Sequence, residues 1–134
     1  MKNFREKLVD KLADALGVSR KPKREPRLYV VVRDDIVPPG SDPSKRYPGY
    51  QAAQAGHAIA YLSAESKLAV YQHPTITILN VPNEDILLKV AEMHQHIPGD
   101  PELWMFREPD LDNEATAFAC YSEGREFAGL PLMK

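Results

Sequence analysis

The sequence predicts an α/β fold: a three-layer α/β/α arrangement around a four-stranded mixed sheet, preceded by an extra N-terminal amphipathic helix. Three observations carry this. Two β-branched runs, Leu28 to Arg33 and Thr75 to Val81, are each followed by a helical pattern. Two further apolar runs, Leu103 to Phe106 and Ala115 to Tyr121, follow one another with no helix between them. The chain has 134 residues, 43% apolar and 27% charged, which suits one compact domain and is too short for two ordinary ones.

Phe4, Leu8, Leu12 and Leu16 recur every fourth residue, Val9 and Ala13 widen the stripe, and Gly17 supplies a stop, so residues 3 to 16 are expected to form a helix. The segment from Ser19 to Arg27 is charged and carries two prolines, which makes it an extended linker. Residues 1–27 thus form a basic helix and linker, and residues 28–134 form the main domain. The division is also one of charge. Residues 1–27 hold 9 Lys/Arg against 4 Asp/Glu, and the rest hold 8 against 15, within a net charge of −2. A basic leader attracts anionic partners, and equally it keeps a helix soluble.

Leu28 to Arg33 has the continuous pattern of a strand covered on both faces, and Asp34 and Asp35 mark its polar end. From Ile36 to Gly49 four prolines, two glycines, Lys45 and Arg46 make a long loop. Tyr50 to Leu62 then has helical spacing, with Ala52, Ala55, Ile59 and Leu62 on one stripe and Gln54, His57 and Tyr61 on another. After the second strand, Asn83 is placed to cap a helix that carries Leu87, Val90, Ala91 and His94 on one face and ends by Pro98 and Gly99. Glu108 to Glu114 forms an acidic connection between the last two strands, which should pair antiparallel in an otherwise mostly parallel sheet.

One cysteine cannot form an internal disulfide, which points to a reducing, cytoplasmic setting. The apolar runs fall far short of the roughly 20 residues that span a bilayer, so no membrane partner is expected. His73, His94 and His96 lack the spacing of a metal set, and no glycine-rich phosphate loop is present, so neither a metal nor a cofactor is expected. Cys120 sits in an apolar strand and is expected to be inert. Trp104 and the tyrosines suit stacking on bases, and Trp104 suits a core position as well.

In open α/β sheets ligands bind beyond the carboxyl ends of the strands, here near the loop after Arg33 and the loop after Phe106. Gln54 and His57 share a helical face there. An amide orients a carbonyl or a water, and an imidazole carries a proton near neutral pH; a packed or capping histidine fits the same spacing. The acidic connection supplies a carboxylate, and Thr116 a hydroxyl, although Asp, Asn and Pro also make ordinary turns.

The stretch Tyr29-Val-Val-Val-Arg-Asp-Asp35, a loop, and then Gln51-Ala-Ala-Gln-Ala-Gly-His-Ala58 resembles the opening of the type 2 peptidyl-tRNA hydrolases. That family has a strand ending in V-R-x-D and then a helix beginning G-K-x-A-A-Q-x-x-H-A. The resemblance, that of a divergent member, extends in pattern over about residues 28 to 133. It implies metal-independent cleavage of the ester between a peptide and the 3′ end of tRNA, with peptidyl-tRNA as partner, and it allows a homodimer. Carried over by position, Gln54, His57, Asp110 and Thr116 are the implied catalytic residues, with Glu108 as the competing acid. Arg33, Lys45, Arg46 and Arg107 are the implied phosphate contacts. The family lysine is replaced by Tyr50, and Lys45 or Arg46 is expected to return to the site from the loop. That replacement motivates a second reading, a silent RNA- or protein-binding member of the fold, and a third is a hydrolase of a different small ester or amide, which the same Gln54 and His57 face could serve.

Overall fold

The computed structural model describes residues 3–5, 7–8, 27–65, 75–98 and 102–134. Most of the expected N-terminal helix and the linker lie outside the described residues. Phe4, Arg5, Lys7 and Leu8 are helical, and Phe4 and Leu8 are exposed.

The main domain is an α/β fold in which two helices pack on a four-stranded mixed sheet: β1 (Arg27–Arg33), α1 (Pro48–Glu65), β2 (Ile76–Val81), α2 (Glu84–Gln95), β3 (Trp104–Glu108) and β4 (Glu114–Ser122). The strand order is β2-β1-β4-β3. β1 runs parallel to β2, and β4 runs antiparallel to both β1 and β3. This corrects the expectation of a mostly parallel sheet. Three strands do share one direction, but the reversed β4 lies between β1 and β3, so two of the three pairings are antiparallel. Sequence order could not show that insertion.

β1 is central, and its composition follows from that position. Val30, Val31 and Val32 have no exposure at all, and burying each fully is worth about 1.5–3 kcal/mol. Tyr29 and Val31 join one apolar cluster with Leu87, Val90 and Ala91 of α2. Leu28, Val30 and Val32 join the other with Ala55, Ala58 and Leu62 of α1. Alternate residues of a strand point to opposite faces, so the two helices cover opposite faces of β1. The outer edge of β2 is met by the C-terminal tail: Asn80 N–H donates to the Pro131 carbonyl and Met133 N–H to the Ile78 carbonyl, each at 2.9 Å.

α1 starts with Pro48 in the first turn, where a missing N–H costs nothing. Its buried stripe differs from the one expected. Ala52 is exposed, and Gln51, Gln54, Ala55, Ala58 and Leu62 are buried. Two glutamines turn inward: Gln54 is bonded at both ends of its amide, whereas Gln51 Oε1 accepts from Asn80 Nδ2 at 3.1 Å and its Nε2 is buried without a partner among the described residues.

α2 matches its pattern closely. The Asn83 side chain caps it by accepting from Ile86 N–H at 3.0 Å, and Leu87, Val90, Ala91 and His94 are its buried residues. The helix ends at Gln95, ahead of Pro98, and Gly99 lies outside the described residues.

His94 ties three segments together. Its Nε2 donates to the Glu102 carbonyl at 3.1 Å, and its Nδ1 lies 3.6 Å from Glu126 Oε2, within ion-pair range but beyond a hydrogen bond. Glu126 also accepts the Ser122 hydroxyl. Burial would raise the Glu126 carboxyl, but the His94 ring and the Ser122 hydroxyl outweigh burial and hold it below the usual carboxylate range. A depressed carboxyl pKa contributes stability above the unfolded-state value of about 4.3, and this is lost as pH falls through the lower folded-state value. Urea midpoints measured from pH 7 down to about 3 should therefore fall through the acid range in the native chain. Glu126→Gln should be less stable at pH 7 and show a shallower acid decline; an identical decline would remove Glu126 from this role.

Candidate functional site

Three chemically complementary side chains meet beside α1. The Thr116 hydroxyl donates to Gln54 Oε1 at 2.8 Å, and Gln54 Nε2 donates to Glu108 Oε2 at 2.8 Å. The other carboxylate oxygen, Oε1, accepts the Asp110 backbone N–H at 3.1 Å. All three side chains belong to buried residues, with exposures of 0% for Thr116, 1% for Gln54 and 7% for Glu108. A carboxylate that accepts at both oxygens fixes the direction of the whole chain. Gln54 must turn its NH2 toward Glu108, which leaves its carbonyl for the Thr116 hydroxyl.

An irregularity in β4 creates this chain. Phe106 pairs with Ala117 but Arg107 pairs with Ala115, so Thr116 is an extra residue in the β3–β4 ladder. Ala117 and Ala119 sit in the α1-side cluster, Phe118 and Cys120 in the α2-side cluster. Unbroken alternation would put Thr116 on the α2 side with Phe118. The bulge instead places Ala115 in that cluster and turns the Thr116 hydroxyl to α1.

Glu108 is the last residue of β3 rather than part of the loop, and its side chain caps the short 3-10 turn Pro109–Leu111. Asp112 and Asn113 then take left-handed backbone angles, with φ of 52° and 60°, as their short polar side chains permit. The carboxylate joined to Gln54 and Thr116 is thus Glu108, the competing acid. Asp110 is exposed and contributes its backbone N–H to the chain.

His57, one turn along α1 from Gln54, is exposed. Its ring stacks on Phe106, with centroids 4.7 Å apart and planes 23° from parallel, and it makes no hydrogen bond among the described residues. Tyr50, in the first turn of α1, has a half-buried ring that packs at the α1-side cluster. Its hydroxyl is buried without a partner among the described residues. Burial first, and then the Glu108 and Asp110 charges, raise the phenol above its ordinary value, so it stays O–H near neutral pH.

The four cations expected to meet phosphate are placed differently from one another. Arg33 is buried, and its guanidinium is already engaged: Nε with Asp35 at 2.8 Å, Nη1 with Glu114 at 3.0 Å and the Ala115 carbonyl at 3.1 Å. Burial would lower its pKa, but Asp35 and Glu114 outweigh burial, so it stays charged as an internal clamp. Arg33, expected to be a phosphate contact, thus has its guanidinium already bonded within the fold. Lys45, Arg46 and Arg107 are exposed. Arg46 Nη2 lies 3.8 Å from Asp34, and Arg107 donates to the Asn113 carbonyl at 3.2 Å across the turn. Cys120 is fully buried, and burial, reinforced by Glu126, pushes its thiol far up, which leaves little thiolate.

Among the described residues no group of three His, Cys, Asp or Glu side chains is arranged to hold a metal ion. No helix there is long and apolar enough to cross a membrane. No protein-family model matches the chain, and no curated protein matches it significantly.

Sequence reading missed the Thr116 bulge and the buried Tyr50 hydroxyl, and it ranked Asp110 ahead of Glu108, the acid whose carboxylate is bonded to Gln54. One available signal was the Glu108-Pro-Asp110 spacing, in which an acid before proline suits a cap. Thr116→Val keeps the shape of the side chain and strands the Gln54 carbonyl, so urea denaturation should show a loss of about 1–3 kcal/mol. Asp110→Asn, which keeps the backbone N–H, should stay within about 0.5 kcal/mol of the native chain.

Proposed function

We propose that the protein hydrolyses the ester between a peptidyl group and the 3′ end of tRNA. The observation that carries this reading is the convergence of Thr116, Gln54 and Glu108 in one directed hydrogen-bond chain on the helix whose sequence carries the family resemblance. Its soluble, cytoplasmic setting and its place in translation belong to the same proposal.

The chemistry follows from the groups present. Glu108 accepts one hydrogen bond at each oxygen and keeps lone pairs free to take a proton from a water. Gln54, held by Thr116, orients that carboxylate. The water oxygen attacks the ester carbonyl while Glu108 removes its proton, and the Tyr50 O–H donates to the carbonyl oxygen as negative charge develops there. Collapse breaks the bond to the ribose 3′ oxygen, which takes the proton back from Glu108. The peptide leaves as a carboxylic acid and the tRNA with a free 3′ hydroxyl. Tyr50 thereby supplies, as a neutral donor, the stabilisation that a cation gives in the resembling family. Lys45, Arg46 and Arg107 are left to meet the tRNA backbone.

A second reading has its own support. Gln54 and Thr116 are almost wholly buried and bonded to one another, the condition of a network that specifies packing. On that reading the protein binds RNA or a protein partner without turnover.

The two readings separate on a purified N-acetyl-aminoacyl-tRNA. Release of the acyl group is expected, with Glu108→Gln slowing it at least about 100-fold and Asp110→Asn changing it little. Tight tRNA binding without release would establish the silent reading, and release confined to small esters would establish a different hydrolase.

A further inference from the structure

His57 is the exposed aromatic group nearest the buried chain in sequence along α1, yet it is unlike a proton carrier held for duty. A histidine that works as a base is oriented by a polar partner on its second nitrogen. Here no hydrogen bond among the described residues orients the ring, and its placement comes from the Phe106 contact, at 4.7 Å and 23°. One face of the imidazole lies on Phe106. The residue itself is exposed.

Two neighbours extend the pattern. Phe106 is half-buried and belongs to the strand that ends at Glu108, so the two-ring stack stands two residues from the site's carboxylate. Tyr61 lies four residues beyond His57 on the same face of α1 and is 47% exposed. Four helical residues advance about 6 Å along the axis, so two aromatic groups stand in file along the helix, leading away from the Gln54 and Glu108 side.

We infer that the His57–Phe106 pair is a stacking platform for an unpaired nucleobase at the single-stranded 3′ end of a bound RNA, with Tyr61 receiving the preceding base. Unpaired bases are held by aromatic rings, and such stacking tolerates any base because every base has a π-face. A platform beside the carboxylate would hold the terminal nucleotide where its ester reaches Glu108. The inference thus rests on the hydrolase reading for its choice of RNA, and it gives His57 a binding role in place of proton transfer.

The test measures binding rather than turnover, so the two proposals fail separately. The whole chain is titrated against a short RNA hairpin with an unpaired 3′ CCA end whose terminal base is 2-aminopurine, a fluorophore quenched by stacking. The native chain should quench it, and a blunt hairpin of the same stem should bind more weakly. His57→Phe should retain affinity within about threefold, because it keeps the ring and loses only the nitrogens. His57→Ala should weaken binding at least fivefold and abolish the quenching, the loss expected when one stacked base is released. Circular dichroism and melting temperature for both variants report whether the fold is kept. Equal affinity in His57→Ala, equal loss in the Phe and Ala variants, or absence of quenching by the native chain would overturn the inference. A native chain that quenches but never hydrolyses ends the hydrolase reading alone.

Discussion

The site depends on one extra residue in β4. A regular strand would show Thr116 to α2, and the Gln54 amide would then be buried with its carbonyl unpaired, at a cost of about 1–3 kcal/mol. The bulge removes that cost by turning the hydroxyl across the sheet. With the carbonyl satisfied, the opposite end of the amide faces Glu108, and Glu108 in turn fixes the 3-10 turn through Asp110 N–H. The hairpin connection, the strand end and the helix are therefore set by one irregularity in the ladder, and the surrounding alanines leave room for it. Ala55 and Ala58 on the helix and Ala117 and Ala119 on the strand have almost no exposure.

The electrostatic character of this end of the sheet follows from the same topology. β1, β2 and β3 share a direction, so their carboxyl ends and the start of β4 fall together, bringing Asp34, Asp35, Glu108, Asp110 and Glu114 to one side. Arg33 is the cation placed inside this group, and it is consumed by Asp35 and Glu114. A neutral Tyr50 hydroxyl near Glu108 and Asp110 fits such surroundings without a further ion pair, whereas a lysine there would be drawn to the carboxylates. The exposed cations nearby are Lys45 and Arg46 in the long loop, the latter 3.8 Å from Asp34, and Arg107 on the hairpin.

Periodicity made the elements legible. The β-branched run of β1, the capped start of α2 at Asn83 and the buried stripe of Leu87, Val90, Ala91 and His94 follow from spacing and local propensity. What spacing could not convey was partnership at a distance. Gln54 read as a group facing the site and Gln51 carried no expectation of burial, since a lone amide is costly to bury and the approach of Asn80, Thr116 and Glu108 has no local signature. Arg33 read as a free cation for the same reason, since Glu114 lies 81 positions away in sequence. The sheet order depends on β4 entering between β1 and β3, a long-range pairing with no local signature.

The tail against β2 has a consequence for how the molecule behaves among its own copies. A strand with unsatisfied amides along its rim is a template on which other chains align. Pro131 and Met133 occupy that rim, and Lys134 N–H reaches the Asn80 side chain at 3.4 Å. Clipping by a protease just ahead of Leu130 would bare this rim and also take Leu130 and Met133 from the apolar clusters on the two faces of the sheet, exposing a pairing edge and loosening the packing beneath both helices together.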